Sequence, residues 1–219
     1  MAGESSVRGD AREQLAAVLH RLCTAAITTG ADTDALLTAV ARLEGIARDL
    51  DAVPSVTRHR ELTTQGLRPA VNMYDSPTHP MVPPLLTRHW EGGSYAGEAT
   101  LSPAFEGAPG RLHGGMVAGL LDHAAGRAVS SENRLAMTVE LTVRFLEATP
   151  YGVPLTVSAA IERTEGRKTF VTGAVGPTDG PATATMEALM IELRSRPVWT
   201  DRSLRPVGVQ EGREVQCAQ

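Results

Sequence analysis

The stretch Leu112-His113-Gly114-Gly115-Met116-Val117-Ala118-Gly119-Leu120-Leu121-Asp122 constrains this chain more than any other part of it. A glycine pair opens a helix in which Met116, Val117, Leu120 and Leu121 are followed by Ala124, Ala125 and Ala128. Such a helix has almost no polar side and must be covered nearly all round. Asp122 interrupts it, and an aspartate is rarely buried without partners. Gly114 and Gly115 leave backbone N–H groups bare at the positive end of the helix, where a negatively charged oxygen is stabilised. Oxyanion donors and one isolated carboxylate are the parts needed to attack an activated carbonyl. The same residues also fit a tight turn followed by a satisfied core acid, and by themselves they leave both readings open.

The rest of the chain narrows the function classes. Its 219 residues suffice for one domain of ordinary size with appendages. With 21 Lys and Arg against 25 Asp and Glu, nothing favours nucleic acid or an anionic membrane surface. Residues 1–62 hold seven Arg and nine Asp or Glu, the wrong balance for a DNA-binding head. Cys23 and Cys217 are too far apart to read as a disulfide framework or a metal-ligand pair. A polar N-terminus and the lack of a long apolar run predict a cytoplasmic protein with no membrane span.

Leu15, Val18, Leu19 and Leu22, then Leu36, Val40, Leu43 and Ala47, follow helical spacing and predict a helical pair over residues 1–52. Gly30 ends the first helix, and Asp32 or Thr33 caps the second. A pair this short should dock its apolar faces on something else. Residues 53–93 are rich in proline and aperiodic, which predicts a linker or wrapping arm. Residues 94–196 then read as one domain: a strand over 94–101, a loop over 107–110, and a helix over 114–129. Strands over 136–147, 153–164, 167–176 and 182–194 complete it. In the first of these, Met137, Val139, Leu141, Val143 and Phe145 alternate with Thr138, Glu140, Thr142 and Arg144, predicting one buried face. Residues 197–219 read as a flexible tail. The order β-α-β-β-β-β predicts an α+β fold, an antiparallel sheet wrapped around one central helix.

The segment Phe105-Glu106-Gly107-Ala108-Pro109-Gly110-Arg111-Leu112-His113-Gly114-Gly115, with Asp122 nine residues after His113, resembles the hotdog-fold acyl-CoA thioesterases. The likeness is to the branch that includes the phenylacetate-pathway thioesterase. It continues through Thr138, sixteen residues past Asp122, and through Arg163-Thr164-Glu165-Gly166-Arg167-Lys168, covering roughly residues 90 to 195. The resemblance implies a hotdog fold and hydrolysis of an acyl-CoA thioester without metal or cofactor. Gly107 stands where several relatives carry Asn, and His123 where others carry Thr or Asn after the acid. The resemblance implies that Thr138 bonds the attacking water or the carboxylate. It also implies that Gly166, Arg167 and Lys168 meet the coenzyme A nucleotide, with Arg111 and Arg144 as weaker candidates.

Helix geometry adds a constraint of its own. At about 1.5 Å rise per residue, Gly114 and Asp122 lie about 12 Å apart along the axis and on different sides of it. Attacking group and oxyanion donor must both come within about 3–3.5 Å of one reacting group. If both residues act, the site joins Gly114 of one subunit to Asp122 of another, which predicts at least a homodimer and leaves room for a tetramer. The Gly114 N–H then polarises the carbonyl, Gly115 leaves room for its approach, and Asp122 serves as general base or nucleophile. His113 either donates to the carbonyl or pins the turn. The competing readings are a non-catalytic acyl-CoA sensor and an enoyl-CoA hydratase or dehydratase. The chain lacks the His-Phe-Pro-Gly segment of the dehydratases and the Asp-then-His spacing of the hydratases. Eight aromatic residues in the whole chain favour an aliphatic acyl group.

Overall fold

The computed structural model describes the backbone of residues 2–53, 60–63, 66–69 and 72–194, and the side chains of 11–53 and 72–194. The expected tail over 197–219 lies outside the described residues. Two helices come first, α1 (Ala2–Thr28) and α2 (Thr33–Asp51). Of the two candidate caps for α2, Asp32 takes the role, its carboxylate accepting from the Ala35 N–H at 2.8 Å. Two short strands, β1 (Arg60–Thr63) and β2 (Gly66–Pro69), pair with each other in a separate two-stranded sheet.

A six-stranded antiparallel sheet follows, built from β3 (Leu86–Glu91), β4 (Ser94–Thr100), β5 (Ala136–Phe145), β6 (Pro154–Glu165), β7 (Lys168–Pro177) and β8 (Ala184–Glu192). Its order is β3-β4-β6-β7-β8-β5, so β3 and β5 are the edges. One helix, α3 (Gly114–Ser131), lies on its face and touches all six strands. Val117, Leu120, Leu121, Ala124, Ala125 and Ala128 of α3 are buried against Leu155, Val157, Val171, Met186 and Met190 of the sheet. Three of the six helical residues are alanines, whose small side chains let helix and sheet approach closely.

Two expectations need correction. The segment read as a linker or wrapping arm contributes β3, and β1 and β2 besides. β3 escapes a pattern reading because Leu86 to His89 are exposed on an edge, leaving no alternation to detect. Its end is anchored to α3: the Trp90 indole N–H donates to the Arg127 carbonyl at 2.8 Å, and the Arg127 guanidinium lies 4.0 Å over the ring.

Strict alternation along β5 also fails. Thr138 pairs with Met190 and Glu140 with Leu189, so Val139 is an extra residue bulged out of the ladder. The bulge reverses the parity of the strand. Leu141 and Val143 face the helix as expected, whereas Met137 and Val139 are exposed and Thr138 turns inward.

The helical pair covers little of its own chain. α1 rests on the sheet domain through buried Ala16 and through His20, whose Nε2 meets the His79 carbonyl at 2.9 Å. α2 buries none of its side chains, and Leu36, Val40 and Leu43 are exposed.

Candidate active site

The loop before α3 is tied down from several directions. The Glu106 carboxylate accepts from the Gly110 N–H at 2.6 Å and from the Tyr151 hydroxyl at 3.2 Å. The Leu112 N–H donates to the Thr149 carbonyl, and the His113 N–H to that of Phe105. Gly107 runs so close to His113 that a Cβ there would stand 2.7 Å from the His113 Cα. Glycine at 107 therefore sets the backbone path into the helix, and an asparagine side chain would displace His113.

His113 is the N-cap of α3, with extended backbone at φ −61°, ψ 133°, and its Nδ1 accepts the Gly115 N–H at 3.0 Å. Of the two roles weighed for this side chain, pinning the turn is the one its bond serves. The cap uses up the Gly115 amide. Among the described residues the Gly114 N–H has no acceptor. Gly114 lines a cleft of about 560 Å³ together with Gly107, Arg111, His113, Val117, Phe145 and Leu146, among others. An unpaired amide at a helix N-terminus beside a cleft suits an anionic or strongly polarised oxygen. His113→Ala should cost about 0.5–2 kcal/mol of stability, the usual range for a lost cap. His113→Asn should restore most of it; urea midpoints for the two variants check both.

Asp122 occupies a different setting. Leu121 and Ala124 on either side of it are wholly buried, whereas Asp122 is half-buried at the margin of the core. Asp122 therefore sits at the rim of the core and not within it. The Thr138 hydroxyl donates to Asp122 Oδ1 at 2.7 Å, a bond that exists only because the β5 bulge turns Thr138 inward. The neighbouring residue points elsewhere: His123 Nε2 lies 2.7 Å from Asp75 Oδ1, so His123 is engaged by the segment preceding the sheet and not by Asp122.

Of the residues expected near coenzyme A, Gly115, Gly166, Arg167, Lys168 and Arg144 do not line the cleft at Gly114, and Arg111, a weaker candidate, does. Gly166 holds φ +58° as the first of two loop residues between β6 and β7, a backbone state that suits glycine. Arg167 donates from Nε and Nη2 to the Glu192 carbonyl at 2.9 and 2.6 Å, which ties the hairpin to β8. Lys168 is exposed at the start of β7, and Arg144 is exposed on β5. The cation beside Gly114 is Arg111. Sequence reasoning also missed Phe145 as a wall of this cleft, having placed it on a buried face; it is mostly exposed.

α3 runs unbroken from Gly114 to Ser131, so the separation of the amide and the carboxylate along one helix stands. Both nonetheless adjoin the same strand. Asp122 meets Thr138 near the start of β5, and a Cβ on Gly114 would stand 3.2 Å from Phe145 Cζ at its end.

Residues 109–181 match the family model of the thioesterase superfamily. The acyl-coenzyme A thioesterase THEM4 of Rattus norvegicus is 34% identical over 89 residues, 40% of this chain and 38% of its own length. The protein of the same name from Xenopus laevis is 35% identical over 68 residues, 31% of each chain. The chain thus spans about a third of the length of these curated relatives. A thioesterase superfamily protein of known crystal structure is similar over 82% of this chain and 94% of its own, with a TM-score of 0.75 and 26% identity. Residues 109–181 accordingly form part of a thioesterase-superfamily domain of hotdog fold.

Proposed function

We propose that this chain is an acyl-CoA thioesterase that works as a homodimer in the cytoplasm, each site joining Asp122 of one subunit to the Gly114 N–H of the other. The observation that carries this reading is the position of both groups along β5. As an edge strand, β5 has one side of its backbone without a partner strand in the sheet. Met137, Val139 and Phe145 along it are more than half exposed, at 59%, 58% and 57%. An edge with large apolar side chains invites pairing with another strand. Antiparallel pairing of β5 with its own copy, about a two-fold axis near its middle, sets the Thr138 end of one strand against the Phe145 end of the other. Asp122 of each subunit then faces its partner's Gly114, and the separation along one helix ceases to be an obstacle.

In that arrangement the thioester carbonyl accepts from the Gly114 N–H at the positive end of α3. Asp122 either takes a proton from an attacking water or attacks the carbonyl carbon itself to form a mixed anhydride that water then hydrolyses, and in both cases the coenzyme A thiolate leaves and is protonated. Thr138 holds the carboxylate in place. The reaction needs only water, without metal or cofactor. The names of the curated relatives support acyl-CoA as the substrate class, and the apolar β5 edge supports the dimer.

The test is a hydrolysis screen of the purified protein against short, medium, long and aromatic acyl-CoAs, with release of coenzyme A read by a thiol reagent. Turnover of at least one series is expected. Tight binding with no thiol released would replace the enzyme with a sensor, and hydration of an enoyl-CoA would replace it with a hydratase.

A further inference from the structure

Residues 72–85 lie outside the stretch that matches the family model, yet they fold onto α3 beside Asp122. The Asn72 side chain begins this arm with a local turn, its Oδ1 accepting from the Tyr74 N–H at 2.8 Å and the Asp75 N–H at 3.2 Å. The arm closes where the Leu85 N–H donates to the Tyr74 carbonyl at 2.7 Å. Between these points Asp75 is clasped to the helix: Oδ1 by His123 at 2.7 Å, and Oδ2 with Arg127 Nη1 at 3.6 Å. His123 is thus the anchor of the arm, which accounts for this chain having histidine after the acid. The Tyr74 ring lies 5.2 Å from the His123 ring and tilts over the helix.

Tyr74 reaches Gly119. A Cβ at that position would overlap the Tyr74 hydroxyl, so the side chain occupies the space that the glycine leaves open. Gly119 precedes Asp122 by three residues, which makes the two neighbours on one helical face. The surfaces adjoining the carboxylate are therefore distinct in kind. Thr138 of β5 meets it on one side, and the core packs beneath it at Leu121 and Ala125. Toward the start of α3 the helix presents Gly119 and half-buried Met116, roofed by Tyr74. Burial raises the Tyr74 hydroxyl pKa, and the Asp122 charge raises it further, so the group keeps its proton at neutral pH and cannot serve as a base. What it supplies is shape, and one hydroxyl at the boundary.

We propose that Tyr74 is a specificity-determining residue: seated over Gly119 by the anchored arm, it closes the helix face next to Asp122 and limits the length of acyl chain that can lie there. This rests on Asp122 being the attacking group or base of an acyl-CoA thioesterase. With the thioester carbon at the carboxylate, the acyl chain leaves along the adjoining surface. The space over Gly119 is already filled by the end of the Tyr74 side chain, so an aliphatic chain running this way stops against the ring.

The test compares kcat/KM for hexanoyl-CoA and hexadecanoyl-CoA in the full-length wild type, Tyr74→Leu and Tyr74→Phe, with Asp122→Asn as control. Tyr74→Leu removes the end of the ring and should shift the ratio toward the longer substrate by about tenfold, the discrimination that one methylene supplies in an apolar pocket. Tyr74→Phe keeps the ring contacts and should shift it the same way by about threefold, so a folding defect in the leucine variant leaves the proposal open to test. A uniform fall in kcat for both substrates, with the ratio unchanged, marks a merely structural residue and overturns the proposal. If Asp122→Asn is inactive while the Tyr74 variants keep the wild-type ratio, only this inference fails. If the wild type hydrolyses no acyl-CoA, or Asp122→Asn keeps full activity, the underlying reading fails and takes the inference with it.

Discussion

Asp122→Asn and Asp122→Ala are expected to lower kcat for acyl-CoA hydrolysis by about 10²–10⁴-fold, the usual contribution of a positioned general base. The asparagine variant is the more informative. Its amide oxygen can still accept the Thr138 hydroxyl, which donates to Asp122 at 2.7 Å in the native chain. The side chain is half-buried at the edge of the core, so the exchange opens no cavity. A folded asparagine variant with unchanged thermal midpoint and lost turnover assigns the loss to chemistry. Thr138→Val keeps the side-chain shape and removes the donor to the carboxylate. Because a hydrogen bond to a charged group contributes about 1.5–3 kcal/mol, roughly a tenfold or greater loss is expected there. Initial rates of thiol release, measured beside melting curves, read all three. Wild-type turnover from Asp122→Asn would remove the carboxylate from the mechanism.

Two inactive variants should rescue each other. Gly114→Pro deletes the free amide at the start of α3, and the backbone tolerates it. Position 114 is the first residue of α3, where proline is well accommodated, and His113 already has the extended φ −61°, ψ 133° that a following proline requires. A Cβ at this position meets Phe145 at 3.2 Å, which a small shift of an exposed ring can absorb. Losing such a donor should reduce kcat by about 10²–10³-fold. In a mixed dimer of Gly114→Pro and Asp122→Ala, one site receives both intact groups and the other receives neither. Unfolding and refolding an equimolar mixture should therefore restore about a quarter of wild-type activity by random pairing of two-fold dimers. A site contained within one subunit predicts no recovery, so an inactive mixture that has demonstrably exchanged subunits would reject the shared site.

The features legible in the sequence are those decided locally. Gly114, Gly115 and Asp122 stand out because a helix apolar on most sides has no ordinary use for them. The hairpin at Gly166 is legible because one residue there adopts positive φ, although its two-residue loop is Gly166-Arg167 and not 165–166. What resisted reading depends on partners distant in the chain. The inward turn of Thr138 is set by the pairing of β5 with β8, roughly fifty residues later, where Val139 has no counterpart. Alternation alone assigned Thr138 to the wrong face. Asp75 is anchored by His123 across 48 positions, and no periodicity in a proline-rich segment marks it as part of a site. Arg167 has the charge for a phosphate, but its geometry commits it to the Glu192 carbonyl. The apolar stripe of α2 was visible, but nothing in the stripe disclosed that its own chain leaves it exposed.

Val139 illustrates how unequal adjacent positions of a strand are toward shortening. Being supernumerary to the ladder, it is the residue whose excision would straighten β5 while preserving the orientation of Thr138 on one side and Leu141 on the other. Excising Thr142 instead would invert whichever flank slid, exchanging hydrocarbon for charge against α3. Single-codon losses in this strand should therefore be tolerated at one locus and damaging at the next few.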